Sequence, residues 1–233
     1  MNRGIYAAAS AMAAAEQRVE AITANLANVG AVGFKRKGVV THSFQSTLHK
    51  KMSPQITSSE RTDWSQGSLR STDGTYDLGF EGSGFFAIDT ERGEGYTRNG
   101  AFHIDSSGVL QTRDGQPVAW DGPRGTINAE GGAPSVDSQG NVRQDGNEIG
   151  RLKLVDFADS SILSLDREGL LRAPAGAARQ ASTGTLHQGV LENANVNAID
   201  EMVALISAQR SFESSARTLS TIEQVLRRMT NSR

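Results

Sequence analysis

The chain has 233 residues and a formal net charge of −2, from 24 Lys+Arg against 26 Asp+Glu. With no cysteine it offers no disulfide framework, thiolate metal site, iron–sulfur cluster or cysteine nucleophile. The balanced charge sets up no whole-chain field for nucleic acid or anionic lipid, and no stretch reaches the ~18–20 apolar residues that span a bilayer. That length suits one or two domains. Of the 25 glycines, 21 lie between Gly67 and Gly189, and all 5 prolines fall between Pro54 and Pro174. Because both residues form turns and weaken helices, the chain reads as a breaker-poor head, a turn-rich middle and a breaker-free tail.

The head predicts one helix. Ile5, Ala8, Met12, Ala15, Val19, Ile22, Leu26 and Val29 recur at alternating spacings of three and four, the 3.5-residue period of a seam against another helix. Asn2 can cap its start, and Gly30 supplies a stop just past the seam. The same pattern also suits an ordinary amphipathic core helix. An Ala-x-Ala at Ala13–Ala15 resembles a signal-peptide cleavage site, but the seam runs unbroken through it, so a retained Met1 end is expected.

Residues 41–66, rich in Ser, Thr and Lys, carry little pattern and read as a linker or extended arm. Beyond them the middle is β. Phe85–Ile88 forms a short apolar run, and Tyr96–Arg98 and Ala101–Ile104 read as strands around the turn dipeptide Asn99-Gly100. A weak repeat, Asp105–Gly108, Asp137–Gly140 and Asp166–Gly169, places Asp first and Gly fourth, as type I turns prefer. Two copies are followed by Asp114-Gly115 and Asp145-Gly146. The pattern is a meander of short antiparallel strands.

The tail predicts a second helix. Asn197 is its N-cap and Asp200 completes a capping-box-like pair. Asp200 and Glu201 suit the positive end of the helix dipole, Arg227 and Arg228 the negative end. Met202, Leu205, Phe212, Ala216, Leu219 and Leu226 keep the three-four rhythm, with Gln209 and Glu223 interrupting it and Ile206, Ile222, Val225 and Met229 widening the stripe. Some ~30 helical residues extend roughly 45 Å, longer than a small domain covers. The apolar face must therefore meet the head helix, a neighbouring subunit or both.

Signals for catalysis are weak. No GxxxxGK[ST], GxSxG or HExxH occurs, and the Gly-rich Gly79–Gly84 precedes a strand rather than opening a helix that would cradle phosphate. The Asp-x-x-Gly turns lack the alternating acids of a calcium loop, and His42, His49, His103 and His187 show no metal-ligand spacing. No cofactor, metal or catalytic residue is expected. Asp73, Asp77 and Glu81 offer the carboxylates of a glycosidase, but such clusters more often solvate turns. Lys35-Arg36-Lys37 beside Phe34 offers a grip on nucleic acid, but three basic residues in a balanced chain usually form a solvated or partner-facing edge.

Three ordered motifs carry a resemblance. Ala24-Asn25-Leu26-Ala27-Asn28-Val29 with Gly33-Phe34-Lys35 resembles the N-terminal signature of flagellar rod and hook proteins. Gly82–Ile88, Tyr96–Phe102 and Gly108–Leu110 are similar to that family's central block, and Gln188–Asn197, Glu201–Val203 and Ala208–Glu213 to its C-terminal signature. The chain departs from the family at Ala31-Val32 before Gly33 and through residues 41–66, where rod subtypes differ. By resemblance it is identified as a member of the flagellar basal-body rod family, of distal or proximal type.

The resemblance implies an α+β fold: N- and C-terminal helices pairing as a coiled coil, plus a central antiparallel all-β domain. The expected division is 1–40 for the first helix and turn of the rod core, 41–66 for the arm, 67–189 for the β domain and 190–233 for the second rod-core helix. It further implies a structural subunit that polymerises helically and transmits torque from motor to hook. Expected partners are further copies, other rod subunits, and hook and ring proteins, with no nucleic acid or small-molecule substrate. The expected location is the rod crossing the periplasm, after type III export without a cleaved signal, with ends that order as subunits dock. Expected seam residues are Ile5, Met12, Val19, Ile22 and Leu26 with Met202, Leu205, Phe212, Leu219 and Leu226; Asn25, Asn28, Gly33 and Phe34 are expected to shape the turn leaving the first helix. A competing reading is a secreted β-domain adhesin or binding module on a coiled-coil stalk.

Overall fold

The computed structural model describes residues 2–44 and 55–231 of an α+β protein. By contact the chain divides into two units: the described parts of Met1–Val29, Arg36–Asp63 and Val196–Arg233, and then Gly30–Lys35 with Trp64–Asn195. These limits differ from the sequence-based ones. Helix α2 (Ala198–Asn231) starts well after residue 190, because Val190–Glu192 is a paired strand of the second unit.

The first unit holds α1 (Asn2–Ala27), α2 and a two-stranded sheet. The alanine-rich sequence of α1 favours helix, and Asn28 closes it by folding its Nδ2 back to the Ala24 carbonyl at 2.8 Å. At the start of α2, Asn197 Oδ1 accepts from the Ile199 N–H at 3.0 Å, the expected cap. The segment read as a linker or extended arm contributes to a hairpin: β1 (Lys37–Phe44) pairs antiparallel with β2 (Gln55–Thr62), from Lys37↔Thr62 to Phe44↔Gln55. The β-branched Val39, Val40, Thr41, Ile56 and Thr57 favour extended backbone, but Ser and Thr hide the alternation. This hairpin packs on α1. Residues 45–54 of the expected arm lie outside the described residues.

The second unit begins with β3 (Leu69–Ser71), β4 (Leu78–Glu81), β5 (Phe85–Thr90), β6 (Gly93–Thr97), β7 (Phe102–Ile104) and β8 (Leu110–Thr112). It continues with β9 (Ser135–Val136), β10 (Asn141–Gln144), β11 (Asn147–Arg151), β12 (Leu154–Phe157) and β13 (Ser164–Leu165). Strands β14 (Leu171–Arg172), β15 (Arg179–Ala181), β16 (Thr185–Gln188) and β17 (Val190–Glu192) complete it. All pairings are antiparallel. The largest sheet runs β13-β14-β6-β5-β12-β15; β11-β10-β9 form another, and β16-β4, β17-β3 and β7-β8 are separate pairs.

Strand β5 explains the apolar run Phe85–Ile88, being covered on both faces. Phe86 and Ile88 enter a core with Leu78, Phe80, Phe102, Trp120 and Leu152, whereas Phe85 and Ala87 meet Tyr96, Val155 and Phe157 on the other side. A strand buried on both faces need not alternate.

The three Asp-x-x-Gly segments are one device used three times. They join β7 to β8, β9 to β10 and β13 to β14. In each, the Gly N–H donates to the Asp carbonyl, and Asp Oδ1 accepts from the amides two and four residues on, at 2.8–3.0 Å. Asp145-Gly146, both at positive φ, closes the β10–β11 hairpin as the sequence suggested. Asn99-Gly100 behaves differently. It joins β6 to β7, which do not pair with each other, so it redirects the chain instead of closing a hairpin. Glycine is needed at 100 for close approach: a Cβ there would lie 1.6 Å from the Leu78 carbonyl oxygen.

Candidate functional site

Within the first unit, α1 and α2 pack antiparallel. Asn25 of α1 meets Glu201 of α2, while Ala11, Ala14, Ala15 and Arg18 share a groove with Ala208 and Ser211. Small residues on both helices permit this close approach. Ile22 is buried alongside Ala8, Ala15 and Ala21, and Ile5, Met12, Val19 and Leu26 are half-buried. On α2 the inward face runs through Glu201, Leu205, Ala208, Ser215, Leu219 and Ile222. Met202 does not share that face with Leu205. It points outward with Ile199, Val203 and Ile206, at spacings of three, one and three, and Ile199 is 72% exposed. Phe212 and Val225 are exposed further along, and the side chain of Leu226 lies outside the described residues. The outer side of the first two turns of α2 is therefore an apolar stripe in contact with solvent.

The expected turn residues do more than shape a turn. Asn25 is fully buried; its Oδ1 accepts from the Lys37 N–H and its Nδ2 donates to the Lys37 carbonyl, each at 2.8 Å. The side chain imitates a β-bridge and fixes the start of β1. Asn25 Nδ2 also donates to Glu201 Oε2 at 3.2 Å, and Arg36 Nε donates to Glu201 Oε1 at 2.5 Å. Glu201 is 1% exposed; it lies in the first turn of α2, where its charge suits the helix dipole as expected, and it also pairs with Arg36, whose side chain stays partly exposed.

The second unit holds a parallel arrangement around Glu192, also 1% exposed. Its carboxylate accepts from Lys35 Nζ at 2.6 Å, the Gly67 N–H at 2.9 Å and Arg98 Nη1 at 3.4 Å. Burial pulls the Arg98 guanidinium below its ordinary value, and the carboxylates of Glu192 and Asp156 oppose that shift. Arg98 also lies between the rings of Phe80 and Phe85, 5.4 and 5.2 Å from their centroids. Gly33 donates its N–H to the Glu192 carbonyl at 2.7 Å, and Phe34 offers its carbonyl to the Asn195 N–H. Gly33 sits at φ +70°, and a Cβ would come within 2.6 Å of the Arg98 and Asn99 backbone. Only glycine satisfies both conditions.

Lys35-Arg36-Lys37 is only partly a solvated edge: the Arg36 and Lys37 side chains keep 42% and 29% exposure. Lys35 is 8% exposed and paired, and Arg36 is committed to Glu201. The acids weighed as a glycosidase pair have other partners: in the turn before β4, Asp77 accepts from Thr72 Oγ1 at 2.6 Å and Asp73 from Ser71 Oγ at 3.2 Å, while Glu81, at the end of β4, faces His187 of β16 at 2.9 Å. Among the described residues, no group of three or more His, Cys, Asp or Glu is placed to hold a metal ion. Among them, too, no helix is long and apolar enough to cross a membrane. Sequence reasoning missed the roles of Glu192, Glu201 and Arg98. The available signal was a charge on an apolar face: Glu201 precedes Leu205 and Ala208 by four and seven residues, on the side that packs inward.

Three family models match the chain in order. Residues 5–35 match "Flagella basal body rod protein", 80–144 match "Flagellar hook protein FlgE/F/G D1 domain", and 187–232 match "Flagellar basal body rod FlgEFG protein C-terminal". The chain is 34% identical to the flagellar basal-body rod protein FlgG of Bacillus subtilis, over 99% of each chain. It is 32% identical to the flagellar basal-body rod protein FlgF of Caulobacter vibrioides, over 97% of this chain and 96% of that one. To the flagellar basal-body rod protein FlgG of Buchnera aphidicola subsp. Schizaphis graminum it is 29% identical, over 98% of this chain and 99% of that one.

Proposed function

Given that the chain belongs to the flagellar basal-body rod protein family, as a structural subunit, we propose that it is not an enzyme, that it polymerises helically through its terminal helices and that it so carries torque from motor to hook. The observation that supports this reading is the outward stripe of Ile199, Met202, Val203 and Ile206 on α2. Fully burying one such side chain contributes about 1.5–3 kcal/mol, so covering these four, from their present exposure, contributes on the order of 5 kcal/mol per subunit. A subunit using this stripe against a different face of its neighbour makes a heterologous contact, and repetition without closure builds a helical tube. The half-buried Ile5, Met12, Val19 and Leu26 of α1, with Leu205, Phe212 and Leu219 of α2, are the remaining seam positions in this proposal. Coiled-coil packing, contacts with other rod, hook and ring proteins, and type III export with Met1 retained belong to it as well.

Deleting the gene and purifying basal bodies tests the reading. Truncated or missing rods and loss of swimming are expected. Intact rods with normal swimming would refute it.

A further inference from the structure

The first unit contains a buried carboxylate whose partners are supplied in sequence by other segments. Asn25 uses both ends of its amide on the Lys37 backbone, a contact spanning twelve residues. That clamp sets the position of the preceding residue, Arg36. Arg36 and Asn25 then donate to Glu201, 165 and 176 residues away in sequence. Glu201 lies on the face by which α2 packs on α1, one turn from Leu205 and two from Ala208. When α2 seats, this carboxylate leaves water and ends 1% exposed. A lone carboxylate in that position loses several kcal/mol of hydration, which an arginine in place offsets.

We infer that Glu201 makes seating of α2 on α1 conditional: the helix docks stably only after Asn25 has clamped the 36–37 backbone and so presented Arg36. The ion pair serves as a check on the order of docking and is not a net source of stability. Local contacts close first because their chain-closure entropy is small, and the distant helix follows. The inference rests on the geometry of this cluster alone and holds whether or not the helices polymerise.

Amide hydrogen exchange of the purified full chain tests it, read over residues 201–208 of α2. The unmutated chain is expected to protect these amides. Arg36→Met, which leaves the carboxylate without its cation, is expected to speed their exchange about ten- to a hundredfold. Arg36→Met combined with Glu201→Met is expected to return exchange to within about threefold of the unmutated rate, because no buried carboxylate is then left without a cation. Asp200→Asn, at the exposed neighbouring acid, loses only a helix-dipole contact and is expected to change exchange by less than about fivefold. Tryptophan fluorescence of Trp64 and Trp120 verifies that the second unit stays folded in every variant. No effect of Arg36→Met, no rescue by the double variant, or no protection in the unmutated chain would each overturn the inference.

Discussion

Replacing Glu192 with alanine removes the one carboxylate that joins Lys35, Arg98 and the Gly67 amide. The distances are 2.6, 3.4 and 2.9 Å, and the two basic side chains are only 6% and 7% exposed. Glu192→Ala thus strands two buried cations and one amide. Breaking a buried pair from one side costs about 3–5 kcal/mol, a large fraction of the ~5–15 kcal/mol that holds a domain together. At a urea slope of ~2 kcal/mol/M, that cost shifts the unfolding midpoint down by about 2 M. Both tryptophans of the chain, Trp64 and Trp120, lie in the unit that contains the cluster. Their fluorescence in a urea titration therefore reads this unit directly. A midpoint within ~0.5 M of the unmutated protein, at an unchanged slope, would show that the charges are not desolvated and would refute the reasoning.

Other outcomes follow from individual positions. Gly33→Ala places a Cβ against the Arg98 backbone at a positive φ, and is expected to lower the same midpoint by at least ~1 kcal/mol in stability. Asp137 is held below the ordinary carboxylate range chiefly by the Asn141 side-chain amide; burial opposes this, and the Asn141 and Gln139 backbone amides add to the lowering. For Asp166, burial pushes upward, but the hydrogen bond from Arg172 and the Leu170 and Glu168 amides outweigh it. A depressed folded value means that the stabilisation is complete above the ordinary value of 3.8 and fades as pH falls through the lower folded value. Asp137→Asn is accordingly expected to destabilise at pH 6 and to converge on the unmutated protein near pH 2, in urea titrations at each pH. Along α2, hydrogen exchange of the free protein is expected to be slow around Ala208 and fast beyond Phe212, where the outer residues are exposed, with the far part gaining protection only on assembly. Uniform protection to Val225 in dilute solution would count against ordering on assembly.

Much of the fold could be read from local chemistry. The seam in the head and the breaker-free tail mark the two helices, and the Asp-x-x-Gly turns mark three hairpins because the Asp side chain and the Gly backbone act within four residues. The β1–β2 hairpin escaped because its strands are mostly Ser, Thr and charge, and its support comes from α1 instead of from its own alternation. Asn99-Gly100 misled because a turn dipeptide specifies local geometry and not which strand pairs beyond it. The buried charges were the least legible part. Lys35 looks like a surface lysine until Glu192, 157 residues away, is beside it. Glu201 looks like a helix-start acid until Arg36 is placed. Pairings at such sequence separation leave no local pattern.

In the proposed rod, the outward stripe of α2 is a contact surface between subunits. The most direct measurement is complementation of a strain lacking this chain with Val203→Glu/Ile206→Glu. Both side chains are solvent-exposed in the subunit, so its urea midpoint is expected to stay within about 0.5 kcal/mol in stability terms. Carboxylates buried between subunits lose their hydration, so rods are expected to be absent or truncated and swimming lost. Full-length rods and normal swimming with this variant would show that the stripe is not an assembly contact.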